Sequence, residues 1–529
     1  MRAKQLLLTS LLAALPVIAQ TLDPAKLLQL PTDTWPTYNG DYSGRRFSPL
    51  KQINASNITS LAPVWMYRIN VGPLRGIAGA QIKSTPLEVD GILYFTIPDN
   101  VWAVDARTGE EIWHYGWVDK GGHLVGQRGV GMYGNWLYFL TPDGWFISLN
   151  AKDGKERWKM QIADPKLQYF TTMAAMIVGN HVIVGVGGDA MDVPGYLEAR
   201  DPETGALQWR WNTEPKPGEP GSETWPNAGA MEHGGGMTWL PGTYDPELNL
   251  LYWGTGNPNP VYAGQGRKGN NLWTCSIVAL NADTGKLVWY FQGSPHDTHD
   301  WDNVETPVLF DAEWNGKKRK LLAQAARNGY FFVLDRTNGK NLVSAPFVGT
   351  NWAKGVDEKG QPIPNTKKQP QPDGALLNTN AGGGTNWFPP SFDPETGLFY
   401  VNAVKGYSLV YLTDTSEKPE GYGGNGRNLW AESALEAIDY RTGKICWSHD
   451  FPGRGGVSSG ILTTAGHLLF SGDPSGNLIA WDPASGRPLW HFHLLAPVTN
   501  GPMTFTLGGR QYLIVGAGDT LYAFALIKG

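Results

Sequence analysis

Two cysteines, Cys275 and Cys446, are all that 529 residues contain. They fall in separate copies of the repeat described below, the fourth and the sixth, which makes a bridge between them doubtful; both are expected to be buried thiols. No Cys-x-x-Cys-His occurs, which excludes a haem attached covalently to this chain. Charge is sparse as well. Charged residues make up 17% of the chain, the formal net charge is -5, and Lys and Arg are scattered. The basic stripe of a nucleic-acid binder is missing, so nucleic acid is not expected as a partner. After the first twenty residues no apolar run reaches the roughly 20 residues that a membrane helix needs, so the mature chain should be soluble with no membrane span.

Glycine, proline and tryptophan are abundant instead, at 67, 38 and 23 residues. They mark many tight turns and much aromatic burial. One phrase returns along the chain: a small residue, an Asp or Asn two places on, a turn carrying Gly, then a Trp. It reads AVDARTGEEIW (103–113), SLNAKDGKERW (148–158), EARDPETGALQW (198–209), ALNADTGKLVW (279–289), AIDYRTGKICW (437–447) and AWDPASGRPLW (480–490). Alternating apolar residues run into each turn, where the acidic or amide side chain can bond its own backbone and Gly supplies positive φ. This is strand, turn, strand, and a further strand such as DGILYF (90–95) or GNHVIVGV (179–186) precedes each copy.

Eight such centres can be counted, two of them irregular. FFVLDRTNGKNL (331–342) keeps the turn without the Trp, and DTLYAF (519–524) stops before any turn. The last needs a strand from elsewhere, and LAPVWMYRI (61–69) has the Trp without a preceding turn. Short strands recurring every 45 to 60 residues or so predict an all-β fold, an eight-bladed β-propeller with Trp-docking motifs, closed by an N-terminal strand. Residues 20–529 would form this one domain. Residues 1–19 read as a secretory signal peptide, with Arg2 and Lys4, an apolar run and Val17-Ile18-Ala19 at its end, and imply a periplasmic location.

Three interruptions of the repeat carry unusual chemistry: EHGGGMTWLPG (232–242), GTGNPNP (254–260) and SPHDTHDWDNVETP (294–307). The last gathers Asp297, Asp300 and Asp302 with His296 and His299 directly after a strand. Alternation along an extended segment would place Asp300 and Asp302 on one side, where two like charges repel unless a cation lies between them. Oxygen-rich sites of this kind suit hard ions such as calcium. Gly234 to Gly236 before Trp239 suggest close backbone approach to something flat, with an indole presented to it.

Taken together, these motifs resemble the quinoprotein alcohol dehydrogenases, the family of bacterial methanol and ethanol dehydrogenases that use pyrroloquinoline quinone (PQQ). The likeness extends over nearly all of the mature chain, in matching order. It implies a quinone stacked over Trp239 and one metal ion held by Asn257 of GTGNP and by Asp300, the catalytic base. Arg327 of ARNG would bond the reactive quinone oxygens. Lys83, Arg128, Thr172, Gly187, Gly188, Asn386 and Trp387 match positions lining the cofactor. Asp302 resembles the extra Asp of members that use a lanthanide, and since a trivalent ion wants one more anionic oxygen, the resemblance favours a lanthanide over calcium.

Three departures stand out. The usual Glu metal ligand is absent from GVGGDAMDVPGY (185–196), where Asp189 or Asp192 would have to substitute. The adjacent-cysteine disulfide above the quinone is missing, Gly122 and His123 standing before Arg128 instead. Lys83 replaces a Glu, and could meet a cofactor carboxylate as a cation. The implied activity is oxidation of a primary alcohol to the aldehyde, with a soluble cytochrome c as acceptor; a homodimer is compatible with the sequence. Alternatives are a quinoprotein acting on sugars or polyols, and a non-catalytic propeller scaffold of the cell envelope.

Overall fold

The computed structural model describes residues 21–70, 80–119, 121, 125–188, 192–453 and 459–527. The proposed signal segment 1–19, Asp189, Gly122 and His123 lie outside them. The fold is all-β and propeller-like. Eight sheets of four or five strands and one two-stranded sheet are present among the described residues. The first sheet is typical, with strands Leu87–Val89, Ile92–Ile97, Asn100–Asp105 and Glu111–Gly116 paired in order. Its middle strands are buried except at the terminal Asp105, whereas the outer one is largely exposed apart from Trp113. The strand Leu61–Arg68 pairs antiparallel with Thr520–Leu526, next to the last two strands of the chain's final sheet.

The recurring Trp explains how sheet meets sheet. The indole N–H of Trp113 donates to the carbonyl of Ala151 (3.0 Å), Trp209 to Ala282 (2.9 Å), Trp289 to Arg336 (3.0 Å) and Trp447 to Pro483 (3.0 Å). Each acceptor follows the turn Asp or Asn of the next copy. Trp65 does the same to Ala106 (3.1 Å), joining the final sheet to the first. A large ring with a single donor is satisfied in one step, its face packed and its N–H paired. The turn glycine is needed for a second reason besides its positive φ: a Cβ on Gly285 would stand 2.5 Å from the Trp209 ring. Where the fifth copy lacks its Trp, Gly443 of the next turn meets Ala345 and Val343 instead.

The N-terminal stretch before Leu61 has no repeat, yet it touches every large sheet. Leu22 N–H donates to Gly134, and Trp35 and Glu88 exchange both backbone bonds (3.0 and 3.1 Å). Tyr42 Oη donates to Ile177 (2.7 Å), while the carbonyls of Tyr42, Ser43, Arg45 and Arg46 accept from Tyr244, Leu309, Phe392 and Thr463. Thr506 N–H closes the series on Thr32. Arg46, 1% exposed, donates to the carbonyls of Tyr38 (2.8 Å), Ile461 (3.0 Å) and Pro502 (2.6 Å).

One expectation fails. Cys275 is buried, but Cys446 is exposed, and both are free. Cys446 lies on Ile445–Phe451, the outermost strand of its sheet, where the alternation that turns Trp447 inward points its neighbour outward. No helix of the described residues is long and apolar enough to cross a membrane.

Candidate active site

The acidic motif is held by a turn. Asp297 Oδ2 accepts the backbone N–H groups of His299 (3.2 Å), Asp300 (3.0 Å) and Trp301 (3.2 Å). Asp300 sits at φ 66°, a conformation that costs a non-glycine residue about 1 kcal/mol or more and that this cap offsets. The extended strand expected from alternation is therefore not what brings the two carboxylates together. The turn does, and both reach the same guanidinium: Arg327 Nη2 lies 3.2 Å from Asp300 Oδ2, and Nη1 3.3 Å from Asp302 Oδ2.

Asp302 is the hub of the site. Its Oδ2 also accepts the Trp239 indole N–H (2.9 Å), and its Oδ1 accepts the Asn257 backbone N–H (2.7 Å). Burial raises its pKa, against the opposing pull of Arg327 and these two donors. Asn257 is fully buried and its Oδ1 has no hydrogen-bond partner. The close approach made by the glycines is to the Asn257 loop and not to a flat group: a Cβ on Gly235 would stand 2.2 Å from the Asn257 carbonyl, and Gly236 N–H donates to that carbonyl (2.8 Å).

A cavity of about 290 Å³ opens over the Trp239 indole. Of the residues singled out in the sequence, Lys83, Arg128, Thr172, Trp239, Asp300, Asp302, Arg327 and Trp387 line it. Asn257 lies behind Asp302. Gly187, Gly188 and Asn386 are not on its wall; Gly188 lies against Gln168 and Tyr169, whereas Gly187 and Asn386 each touch a lining residue. Gly187 exchanges backbone bonds with Phe170, a lining residue, and a Cβ there would stand 2.5 Å from the Phe170 ring. Asn386 Oδ1 accepts the Trp387 N–H (2.8 Å). Asp192 directs Oδ2 to the Gly421 N–H (2.9 Å) and is not a lining residue.

Phe170 and Val125 were not foreseen, because single apolar residues in loops carry no pattern. Nor was Glu305, which is 3% exposed with a pKa pushed up to about 8 by burial, against the opposing pull of backbone N–H groups and of Arg327. His296 and His299 take no part in the cavity. Burial holds His296 down at about 4 and lowers His299, which stacks on Trp301 at 4.4 Å.

The donors suit a hard cation: one amide oxygen and two carboxylates, with Asn257 Oδ1 lacking any other partner. Among the described residues no third His, Cys, Asp or Glu joins them as a metal-binding group. The cavity also suits a flat polyanion. Its floor is an indole, and Lys83, Arg128 and Arg327 face two carboxylates, with no carboxylate within ion-pairing distance of Lys83 or Arg128 among the described residues. Burial and the neighbouring Arg128 lower the Lys83 pKa, and burial brings Arg128 down to about 10. Both cations would gain from an anion.

Comparison with known proteins agrees with this chemistry. The sequence profile of the PQQ glucose/ethanol/alcohol dehydrogenase β-propeller domain matches residues 35–373, and that of outer membrane protein assembly factor BamB matches residues 431–529. Quinoprotein alcohol dehydrogenase PedH of Pseudomonas putida is 36% identical, aligned over 90% of this chain and 84% of its own length. The crystal structure of quinohemoprotein alcohol dehydrogenase from Comamonas testosteroni superposes with a TM-score of 0.88 at 32% identity, over 96% of this chain and 83% of the other. A europium-containing methanol dehydrogenase gives 0.84 at 29% identity, over 95% and 100%.

Proposed function

This chain belongs to the PQQ-dependent quinoprotein alcohol dehydrogenases, and from that premise we propose that it oxidises a primary alcohol to the aldehyde, with Asp300 as general base. The observation that carries the reading is the meeting of Asp300, Asp302 and Arg327 at the N–H edge of the Trp239 indole, three groups separated in sequence from that indole and from Asn257.

Bound there, the quinone and its metal would supply a hydride-accepting carbonyl carbon and the Lewis acidity that polarises it. The remaining roles belong to the protein. Asp300 Oδ takes the proton of the substrate hydroxyl, and Arg327 Nη2 at 3.2 Å orients the carboxylate for it. Asn257 Oδ1, Asp300 and Asp302 would hold the metal, the second Asp favouring a trivalent lanthanide over calcium. Trp239 forms the floor. Lys83, Arg128 and Thr172 meet the anionic edge, and Asn386 steadies Trp387. Phe170, Trp387 and Val125 exclude water around the reacting atoms.

We read the eight larger sheets as the blades of one ring over 20–529, closed by Leu61–Arg68 on the last blade. Cleavage of a signal at 1–19 would place the enzyme in the periplasm. With no haem motif on the chain, a separate cytochrome c would take the electrons.

Asp300→Asn tests the base. Dye-linked ethanol oxidation by the PQQ-reconstituted protein should fall by about 100-fold or more while the absorbance of bound PQQ is retained. Full activity in that variant would remove Asp300 from its role.

A further inference from the structure

Arg128 is 4% exposed, and its guanidinium stands between two indoles, with Cζ 5.1 Å from the Trp239 ring centre and 4.8 Å from that of Trp387. Stacking is the contact a planar guanidinium favours. Here it leaves Nε and Nη1 buried without a hydrogen-bond partner. The backbone, in contrast, is pinned: its N–H donates to Thr172 O (2.9 Å) and Gln127 Oε1 (2.8 Å), and its carbonyl accepts from Thr85 (3.2 Å). A second cation crowds the same place. A Cβ on Gly126 would stand 3.5 Å from Arg128 Nη1 and 3.7 Å from Lys83 Nζ. The side chain is thus favoured by two ring faces, and disfavoured by two unanswered donors and a like charge.

We propose that Arg128 keeps the aromatic slot open and is displaced from it by the planar, polycarboxylate cofactor. The guanidinium leaves the space between Trp239 and Trp387 and pairs with a carboxylate at the Lys83 end, while the cofactor ring takes its place against Trp239. With its Cζ 5.1 and 4.8 Å from the two ring centres, the guanidinium occupies the space that the cofactor ring would take. Trp387 supplies the second face that the missing adjacent-cysteine disulfide would otherwise have formed. The donors idle in one position are used in the other, so the exchange of stacking for ion pairing runs in favour of the loaded state.

The inference rests on the quinone reading above. It is tested by stopped-flow mixing of protein, purified from a host that makes no PQQ, with excess PQQ and Ca²⁺. The signal is the absorbance and circular dichroism that PQQ acquires in an asymmetric site. In the wild-type protein the observed rate should level off as PQQ is raised, because Arg128 must move for the ring to dock. Arg128→Lys keeps the charge but cannot stack as a plane, and should raise the plateau about tenfold or abolish it. Trp387→Ala, which unclamps the guanidinium from the other side, should also raise it, so that a folding defect in one variant does not decide the matter. Arg128→Met fills the slot without charge and should weaken Kd by about 100-fold.

A rate linear in PQQ in the wild-type protein, or an unchanged plateau in both Arg128→Lys and Trp387→Ala, overturns the displacement and leaves the quinone reading standing. A wild-type protein that gives no PQQ signal with either Ca²⁺ or La³⁺ removes both.

Discussion

Single residues in this protein are placed by what they are denied as much as by what they touch. Asp302 shares the motif with Asp300 but is almost fully buried and already bonded by Trp239, Asn257 and Arg327. A trivalent ion gains more than a divalent one from that extra carboxylate. Asp302→Ala is therefore expected to cost lanthanide-supported activity more than calcium-supported activity; equal losses in a reconstitution series would reject the lanthanide preference. Glu88 offers a test of burial itself. Its Oε1 accepts the Gly91 N–H (2.7 Å) while Oε2 is buried without a partner. Desolvation pushes its pKa up to about 8, aided by Asp90 and Asp33 and opposed first by the Gly91 bond and more weakly by Arg107. A raised carboxyl stabilises the folded state fully below its unfolded pKa of about 4.5, and loses that contribution as pH rises through 8. The melting temperature of Glu88→Gln, compared with wild type, should match near pH 5 and move increasingly in the variant's favour up to pH 8.5. A pH-independent difference would contradict the shift.

Among the elements, the turn and the Trp that docks on it form one unit drawn from two neighbouring sheets. Gly285 combines φ 65° with a ring at 2.5 Å from its missing Cβ, whereas Gly179 has φ 57° and open space. Gly179→Ala should cost about 1 kcal/mol for conformation alone, and Gly285→Ala about 1–3 kcal/mol more for the overpacked indole. Urea unfolding of the pair measures the difference, and equal costs would deny the Trp its docking role. These units were legible in the sequence because their period is carried by residues with one purpose each: Asp or Asn to bond the turn, Gly to allow it, Trp to cover it. The acidic turn was legible only in part. Asp300 and Asp302 stood out by composition, but the geometry that joins them comes from three backbone N–H groups on Asp297, and a strand was the wrong expectation for it.

At the scale of the whole molecule, the repeat-free segment from Leu22 to Ser48 is tied to all eight large sheets, and Arg46 within it bonds carbonyls of Tyr38, Ile461 and Pro502. Arg46→Leu leaves those buried carbonyls without their charged donor, and a loss of about 3 kcal/mol is expected. Unfolding at an unchanged urea concentration would make the segment a passenger rather than a tie. Nothing in its sequence announced this, because its bonds are made by backbone groups that every residue type carries. The same division holds throughout. Short-range pattern by itself determined the all-β repeat, the docking Trp and the kinds of side chain available for an oxygen-rich, quinone-binding site, since turn chemistry and alternation act over a few residues. Which of those side chains meet was decided only by the tertiary structure: Arg327 on both carboxylates, Asp302 on the Trp239 indole N–H, and Arg128 against the indoles of Trp239 and Trp387. Those outcomes depend on distances between sheets far apart in the chain, and no local signal encodes them.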